Sequence, residues 1–258
     1  MTTVHADGPI VADVVIPVYN EGRNIRGVLD SLKAVAYPVR ILICYDFDED
    51  DTLAALADYD SSPLSVVPIR SRGRGVVDAI LSGFEASTAP YVITYPGDDD
   101  CNGPRVNALL RLAIDGHDIV CASRFMPGGS MVGCPLLKAV LVRTGAFVVY
   151  HIARVPTRDA SHALRLFSRR VLDSLPVEST MGFAFSLELL VKAHRLRWPI
   201  AETPFIWRER RVGRSRFRVF AWLPEYLRWV GYAVATTFLG RGEGDVRLRE
   251  GVQLVQQR

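Results

Sequence analysis

Residues 11–32 read VADVVIPVYNEGRNIRGVLDSL, and this stretch decides the fold. Its first part, VADVVIPVY, is an apolar run of the length of a buried strand. In the part that follows, apolar side chains recur with the i, i+3, i+4, i+7 spacing of one helix face, at Ile25, Val28, Leu29 and Leu32. A buried strand followed at once by an amphipathic helix is typical of α/β proteins.

The same alternation continues along the chain. Further strands are predicted at VRILICYD, LSVVPI, YVITYP, DIVCASRF, DASHALRLFS and WPIAETPFIWRER. Helices are predicted at DTLAALADY, VVDAILSGFEAS, PRVNALLRLAI, GFAFSLELLVKAHR and over residues 136–153. Strands separated by helices of this length predict right-handed crossovers and a mostly parallel sheet flanked by helices, with ligands at the carboxyl ends of the strands.

Composition excludes several classes of protein. The 258 residues are 49% hydrophobic and 23% charged, which excludes a disordered chain. Four cysteines without metal-ligand spacing exclude a disulfide scaffold and indicate reduced thiols. We expect a catalytic domain over residues 1–217 and a C-terminal helix and polar tail over 218–258.

Charge and targeting signals bear on location and partners. The net charge is only +3, so nucleic acid is not an expected partner. The N-terminus lacks the pattern of a signal peptide, and no apolar run reaches the ~20 residues of a membrane-spanning helix. We therefore expect a cytoplasmic protein.

Acidic residues follow two of the predicted strands. Residues 46–51, DFDEDD, follow the second, and 97–100, GDDD, follow the fourth. A helix N-cap at Asp50 or Asp51 accounts for part of the first cluster. Mg²⁺ and Mn²⁺ prefer oxygen ligands, so Asp98 and Asp100 are the candidate metal ligands.

No complete glycine-rich phosphate loop follows the first strand, so any bound nucleotide would need other contacts for its phosphates. Residues 208–218, RERRVGRSRFR, hold six arginines. Guanidinium groups suit phosphate oxygens, and a solvated basic loop is the equally weighted alternative.

These features in this order resemble the family 2 glycosyltransferases of GT-A fold, and within them the dolichyl/polyprenyl-phosphate mannose or glucose synthase branch. The resemblance runs from about residue 11 to 217. Its motifs are IPVYNEGRNI, the segment around Asp46, Asp98 with Asp100, the SRF run 123–125 followed by PGG, Asp159 with Arg165, GFAF with Glu188, and the basic loop.

The resemblance implies a role for each matching residue. The nucleotide site would comprise Pro17, Tyr19, Glu21, Cys44, Asp46, Gly97 and Asp98. Asp98 and Asp100 would hold Mg²⁺ or Mn²⁺, and the catalytic groups would be Asp98, Arg124, Arg210 and Arg216. The activity implied is inverting, metal-dependent transfer of a hexose from a nucleoside diphosphate sugar to a polyprenyl phosphate.

The segment after residue 217 is rich in aromatic side chains and has a broad apolar face. Helical spacing aligns Trp222, Tyr226 and Trp229, with a neighbouring stripe formed by Leu223, Leu227, Val230, Val234 and Phe238. We expect this amphipathic helix to lie in the membrane interface and attach the protein peripherally, near a lipid acceptor. A contact between subunits of a homo-oligomer, or packing on the catalytic domain, is the alternative.

Two other functions stay open at this stage. One is a family 2 transferase that acts on a hydroxyl group of a glycan or small molecule, which would need a base such as Asp99 or Asp159. The other is an inactive nucleotide-binding or membrane scaffold. A phosphate acceptor is already anionic near neutral pH and needs no protein base.

Overall fold

A computed structural model describes residues 8–73, 75–208 and 219–252. Its strands are β1 (Ala12–Pro17), β2 (Val39–Tyr45), β3 (Ser65–Arg70), β4 (Tyr91–Thr94), β5 (Ile119–Ser123), β6 (Ser130–Val132), β7 (Arg165–Ser168), β8 (Ile200–Pro204) and β9 (Ile206–Arg208). Its α-helices are α1 (Ile25–Leu32), α2 (Asp51–Ala57), α3 (Val76–Ala86), α4 (Val106–Ile114), α5 (Leu136–Phe147), α6 (Arg169–Ser174), α7 (Ala184–Arg195) and α8 (Val219–Phe238). A π-helical turn, Val148–Ile152, continues α5.

Seven strands form one sheet in the order β3-β2-β1-β4-β7-β5-β8. Strand β7 is antiparallel to both of its neighbours, and every other pair is parallel. The prediction of a mostly parallel α/β sheet is confirmed. The short strands β6 and β9 pair in parallel as a second, two-stranded sheet.

The sheet is buried on both faces. One apolar cluster packs side chains of α3, α7 and α8 against it, including Phe84, Phe185 and Trp229. The other packs α1 and α4 against the opposite face, including Leu29 and Leu109. Because helices cover both faces, the edge formed by the carboxyl ends of the strands is the place where ligands can bind.

The aromatic stripe of helix α8 packs on the catalytic domain, which was the alternative to the expected membrane interface. Trp229 is only 2% exposed, and its Nε1 donates to Ser179 Oγ at 2.8 Å. Trp222 packs edge-on against Phe183, and Tyr226 packs against the core. The aromatic stripe therefore faces the catalytic domain, and Trp229 in particular is enclosed there.

The other stripe of α8 reaches solvent at three of its five positions, whereas Val230 and Val234 pack against the core. Leu223 is 41% exposed, Leu227 58% and Phe238 61%. Within the described residues, no helix has the length and apolar character needed to cross a membrane. The predicted division between residues 217 and 218 falls within 209–218, outside the described residues, and stays a prediction.

Candidate active site

The loops after β1 and β4 meet at the carboxyl edge of the sheet. Strands β2, β1 and β4 are parallel neighbours, so the residues that follow them lie at the same edge. A Cβ added to Gly97 would lie 3.1 Å from the carbonyl oxygen of Pro17 and 3.6 Å from Glu21 Cγ. The structure thus brings Pro17, Glu21 and Gly97 together, and a side chain at position 97 would crowd the carbonyl oxygen of Pro17.

The loop after β1 is held by the first turn of α2. Three consecutive amides donate to side chains there: Asn20 to Asp50 Oδ2 (3.0 Å), Glu21 to Thr52 Oγ1 (2.9 Å) and Gly22 to Asp51 Oδ1 (2.8 Å). Asp50 also accepts the amide of Thr52 at 2.9 Å, so the predicted N-cap is confirmed. Two of the five carboxylates in the first acidic cluster, Asp50 and Asp51, are therefore structural, and their part in shaping the site was not predicted.

Asp46 lies between this loop and the start of α3. Its Oδ2 accepts the amide of Gly75 at 2.7 Å. Its Oδ1 is buried and has no hydrogen-bond partner within the described part of the chain. Tyr19 and Phe47 stand beside it with their rings edge to face, 5.1 Å apart. A buried acceptor without a donor costs free energy, so this oxygen is suited to a donor group of a bound ligand.

Cys44 does not line this site as the resemblance implied. Its side chain is fully buried in the core, where Sγ donates to the carbonyl oxygen of Leu42 at 3.7 Å. Burial raises the pKa of its thiol to about 12. Helix α3 covers the Cys44 side chain. Only the backbone of Cys44 takes part in the site, because its carbonyl oxygen accepts a hydrogen bond from Val18 N.

The acidic turn after β4 separates its three carboxylates. Asp98 and Asp100 are exposed, whereas Asp99 points inward. Asp99 Oδ1 accepts the amides of Cys101 (3.1 Å) and Asn102 (3.0 Å) and the side-chain amide of Asn102 (2.9 Å). Burial raises the pKa of Asp99 although these donors oppose the shift. Asp99 is thus an anchor of the turn and not a third solvent-facing carboxylate.

Asn102 extends this anchor to the chain that leads into the basic loop. Its Nδ2 donates to the carbonyl oxygen of Ile206 at 2.9 Å, and its Oδ1 accepts the amide of Ile206 at 3.3 Å. No sequence pattern indicated this residue, because its partner is 104 positions away. The acidic turn and β9 are consequently fixed to one another.

Asp98 and Asp100 have the donor chemistry of a divalent-metal site. No group of three or more histidine, cysteine or acidic side chains that could hold a metal occurs within residues 8–73, 75–208 and 219–252. Two carboxylates fit an ion such as Mg²⁺ or Mn²⁺, since it commonly takes its remaining ligands from water and substrate phosphates.

Arg124 follows β5 and is tied to Asp159. Its Nε and Nη2 donate to the two carboxylate oxygens at 2.6 and 2.8 Å, and its backbone amide adds a bond at 3.0 Å. Burial alone would raise the pKa of Asp159, but the charge and hydrogen bonds of Arg124 hold it below its usual value. Arg165, the other residue of this motif, does not reach the carboxylate and donates instead to the backbone carbonyl oxygens of Asp159 and Ala160.

Two of the candidate catalytic residues, Arg210 and Arg216, lie outside the described residues. Strand β9 ends at Arg208, directly before them. Since β9 is joined to the acidic turn through Asn102, the basic loop begins beside that turn.

Comparison with known proteins agrees with this geometry. The model of the family described as Glycosyl transferase family 2 matches residues 13–175. A polyprenol monophosphomannose synthase of Mycolicibacterium smegmatis is 28% identical over 213 residues, 79% of each chain. A dolichol-phosphate mannosyltransferase of Pyrococcus furiosus is 25% identical over 228 residues, 84% of this chain and 62% of that enzyme, so the chain spans less than two thirds of its length.

Solved structures show the same fold. Glucosyl-3-phosphoglycerate synthase of Mycobacterium tuberculosis, crystallised with Mn²⁺, UDP-glucose and phosphoglyceric acid, aligns with a TM-score of 0.62 over 89% of this chain and 86% of its own. Its sequence is only 17% identical, so the likeness concerns the fold. The family model covers more than half of this chain, and the chain therefore belongs to glycosyl transferase family 2 and is a glycosyltransferase.

Proposed function

We propose that this glycosyltransferase moves a hexose from a nucleoside diphosphate sugar to a polyprenyl phosphate. The observation that carries the choice of acceptor is that Asp99 and Asp159, the two candidate bases, are both engaged as hydrogen-bonded anchors. An acceptor hydroxyl would need a free base, whereas a phosphate oxygen is already anionic near neutral pH. The two sequence relatives, named for polyprenol and dolichol phosphate products, support the same acceptor class.

The donor half of the proposal rests on the loops after β1, β2 and β4. Asp46 Oδ1 is the acceptor for an N–H group of the nucleotide base, because it is buried and lacks a partner within the described residues. Pro17, Tyr19 and Glu21 line the base and ribose. Gly97 lets the diphosphate approach the backbone closely.

Asp98 and Asp100 are the proposed ligands of Mg²⁺ or Mn²⁺. The ion, when bound, neutralises charge that develops on the leaving diphosphate. Asp98, Arg124, Arg210 and Arg216 are the proposed catalytic groups. Arg124 Nη1 makes no hydrogen bond within the described part of the chain, and the Asp159 pair fixes the direction in which it points. Arg210 and Arg216 would contact donor or acceptor phosphates from the basic loop.

The acceptor implies a membrane surface, and we propose peripheral attachment through the solvent-facing stripe of α8. Leu223, Leu227 and Phe238 share this stripe. Each large apolar side chain moved from water into a bilayer contributes roughly 1.5 to 3 kcal/mol. The opposite face of α8 packs on α7, so attachment would leave the catalytic domain intact.

A transfer assay tests the proposal. Purified protein is incubated with Mn²⁺ and labelled GDP-mannose or UDP-glucose, together with a short-chain polyprenyl phosphate, the dephosphorylated alcohol or phosphoglyceric acid. We expect label to enter the polyprenyl phosphate alone. Transfer to the alcohol or to phosphoglyceric acid would show a hydroxyl acceptor, and no transfer from any donor with intact nucleotide binding would indicate a scaffold. Asp98→Asn is the matched inactive control.

A further inference from the structure

A basic cavity lies where the C-terminal ends of α7 and α8 meet. Its volume is about 530 Å³, within the range of pockets that hold small ligands. Four arginines line it, Arg154, Arg195, Arg197 and Arg241, against one carboxylate, Glu243. This charge balance predicts an affinity for anions.

The cavity is at the opposite edge of the sheet from the candidate active site. Residues 194–197 end α7 and come directly before β8, which is parallel to β5 and, through antiparallel β7, to β4. They therefore lie at the amino edge of the sheet, whereas Gly97 and Asp98 follow β4 at its carboxyl edge. The cavity is not an extension of the donor or metal site.

Two of the four arginines already have structural partners. Arg195 donates to Tyr232 O and to Thr236 Oγ1, each at 2.8 Å, and so satisfies groups at the end of α8. Arg241 donates to Asp245 Oδ1 at 2.9 Å. Cations are favourable at helix C-termini, and these contacts account for Arg195 without any ligand.

Arg154 and Arg197 are different. Neither guanidinium has a hydrogen bond or ion pair within the described parts of the chain. Both residues also have a left-handed backbone, with φ of 56° for Arg154 and 57° for Arg197. Glycine adopts this conformation at less cost, and it is the usual residue where a helix ends in this way. The only other non-glycine residue with positive φ among those described is Asn20, in the candidate nucleotide loop.

We propose that this cavity binds a phosphate group, with Arg154 and Arg197 as its principal contacts. An anionic ligand would explain two exposed arginines that line one basic cavity at positions that favour glycine and have no protein partner among the described residues. The phosphate can belong to a soluble phosphate compound or to the headgroup of an anionic lipid. Phe238 and Leu239, exposed by 61% and 71%, stand beside the cavity and suit the second source. The proposal does not depend on the identity of the glycosyl acceptor.

Binding is measured in the presence of a chelator, so that the metal-dependent site at Asp98 does not contribute. One arm titrates the full-length protein with inorganic pyrophosphate by calorimetry. The other measures flotation with phosphatidylglycerol vesicles against phosphatidylcholine vesicles. Arg154→Gly and Arg197→Gly should each weaken binding roughly tenfold or more in whichever arm shows it, because a charge-assisted contact is lost. Arg197→Lys should retain part of the affinity.

Thermal unfolding shows whether a variant that loses binding is still folded. The glycine variants should unfold at the same or a higher temperature than the parent, since glycine relieves the positive φ. The exposed Arg111→Gln, which removes one charge from α4, is the control and should leave binding unchanged. Binding in the first arm identifies a soluble phosphate, and binding in the second arm alone identifies a lipid headgroup. No binding in either arm, or equal binding by parent and both glycine variants, would overturn the proposal.

Discussion

Replacing Trp229 by alanine should destabilise the whole protein, although the residue belongs to the helix that we propose for membrane attachment. Its side chain is 2% exposed, packs edge-on against Tyr232 at 5.4 Å and donates to Ser179 Oγ. Loss of a buried tryptophan costs about 3 to 5 kcal/mol. Since domains of ordinary stability unfold at a cost of about 5 to 15 kcal/mol, this is a large share of the total.

Leu227 offers the matched comparison, because it lies on the same helix and is 58% exposed. Leu227→Ala should change the free energy of unfolding by less than about 0.5 kcal/mol. Chemical denaturation measures both variants, and flotation with liposomes measures the other property. Leu223→Glu with Leu227→Glu should reduce flotation and leave stability nearly unchanged. If Trp229→Ala were as stable as the parent protein and lost flotation instead, our assignment of the two faces of α8 would be refuted.

Four further predictions concern the candidate site. Asp98→Asn should lower kcat/KM by about 10²-fold with unchanged circular dichroism, and full activity in chelator would contradict the metal assignment. Arg210→Ala or Arg216→Ala should cost about 1.5 to 3 kcal/mol of transition-state stabilisation, and unchanged steady-state kinetics for both would leave the loop a solvated surface. Asp159→Ala should lower the free energy of unfolding by about 3 to 5 kcal/mol in a denaturant titration, because Arg124 would stay buried without a counter-charge. A loss below about 1 kcal/mol would contradict this assignment. Burial and the charge of Arg124 lower the pKa of His162 to about 3 in the folded protein, so between about pH 6.5 and 3 the unfolded chain binds a proton that the folded protein does not. The free energy of unfolding should therefore drop by up to about 1.4 kcal/mol for each pH unit below about 6.5. His162→Gln should flatten this slope, and an unchanged slope would refute the attribution.

The sheet could be predicted because its signals are local. Each of the first four strands is a short apolar run followed by a helical pattern, and the carboxyl ends of these strands locate the acidic segments. The antiparallel placement of β7 was not predictable in this way. Its position between β4 and β5 depends on pairing between segments that are distant in the sequence, and residues 165–168 have no periodicity that distinguishes the two directions.

The candidate site was less predictable than the sheet, since its key contacts join distant residues. Arg124 meets Asp159 across 35 positions, and Asn102 meets Ile206 across 104. The resemblance implied a catalytic role for Arg124, and the alternative hydroxyl acceptor called for a base such as Asp99, yet both side chains are held by protein partners. On α8, helical spacing found both apolar stripes, but spacing cannot say which stripe packs on the domain.

The three hydrogen bonds that hold residues 20–22 to α2 have a consequence for the thermodynamics of donor binding. Their amides are ordered when the chain folds, so little backbone entropy remains to be lost when a nucleotide sugar enters. Hydrogen exchange at these positions should be slow in the free protein and should change little with ligand. A donor that finds its recognition loop already rigid loses less free energy to ordering, and its affinity then depends mainly on the complementarity of the contacts themselves.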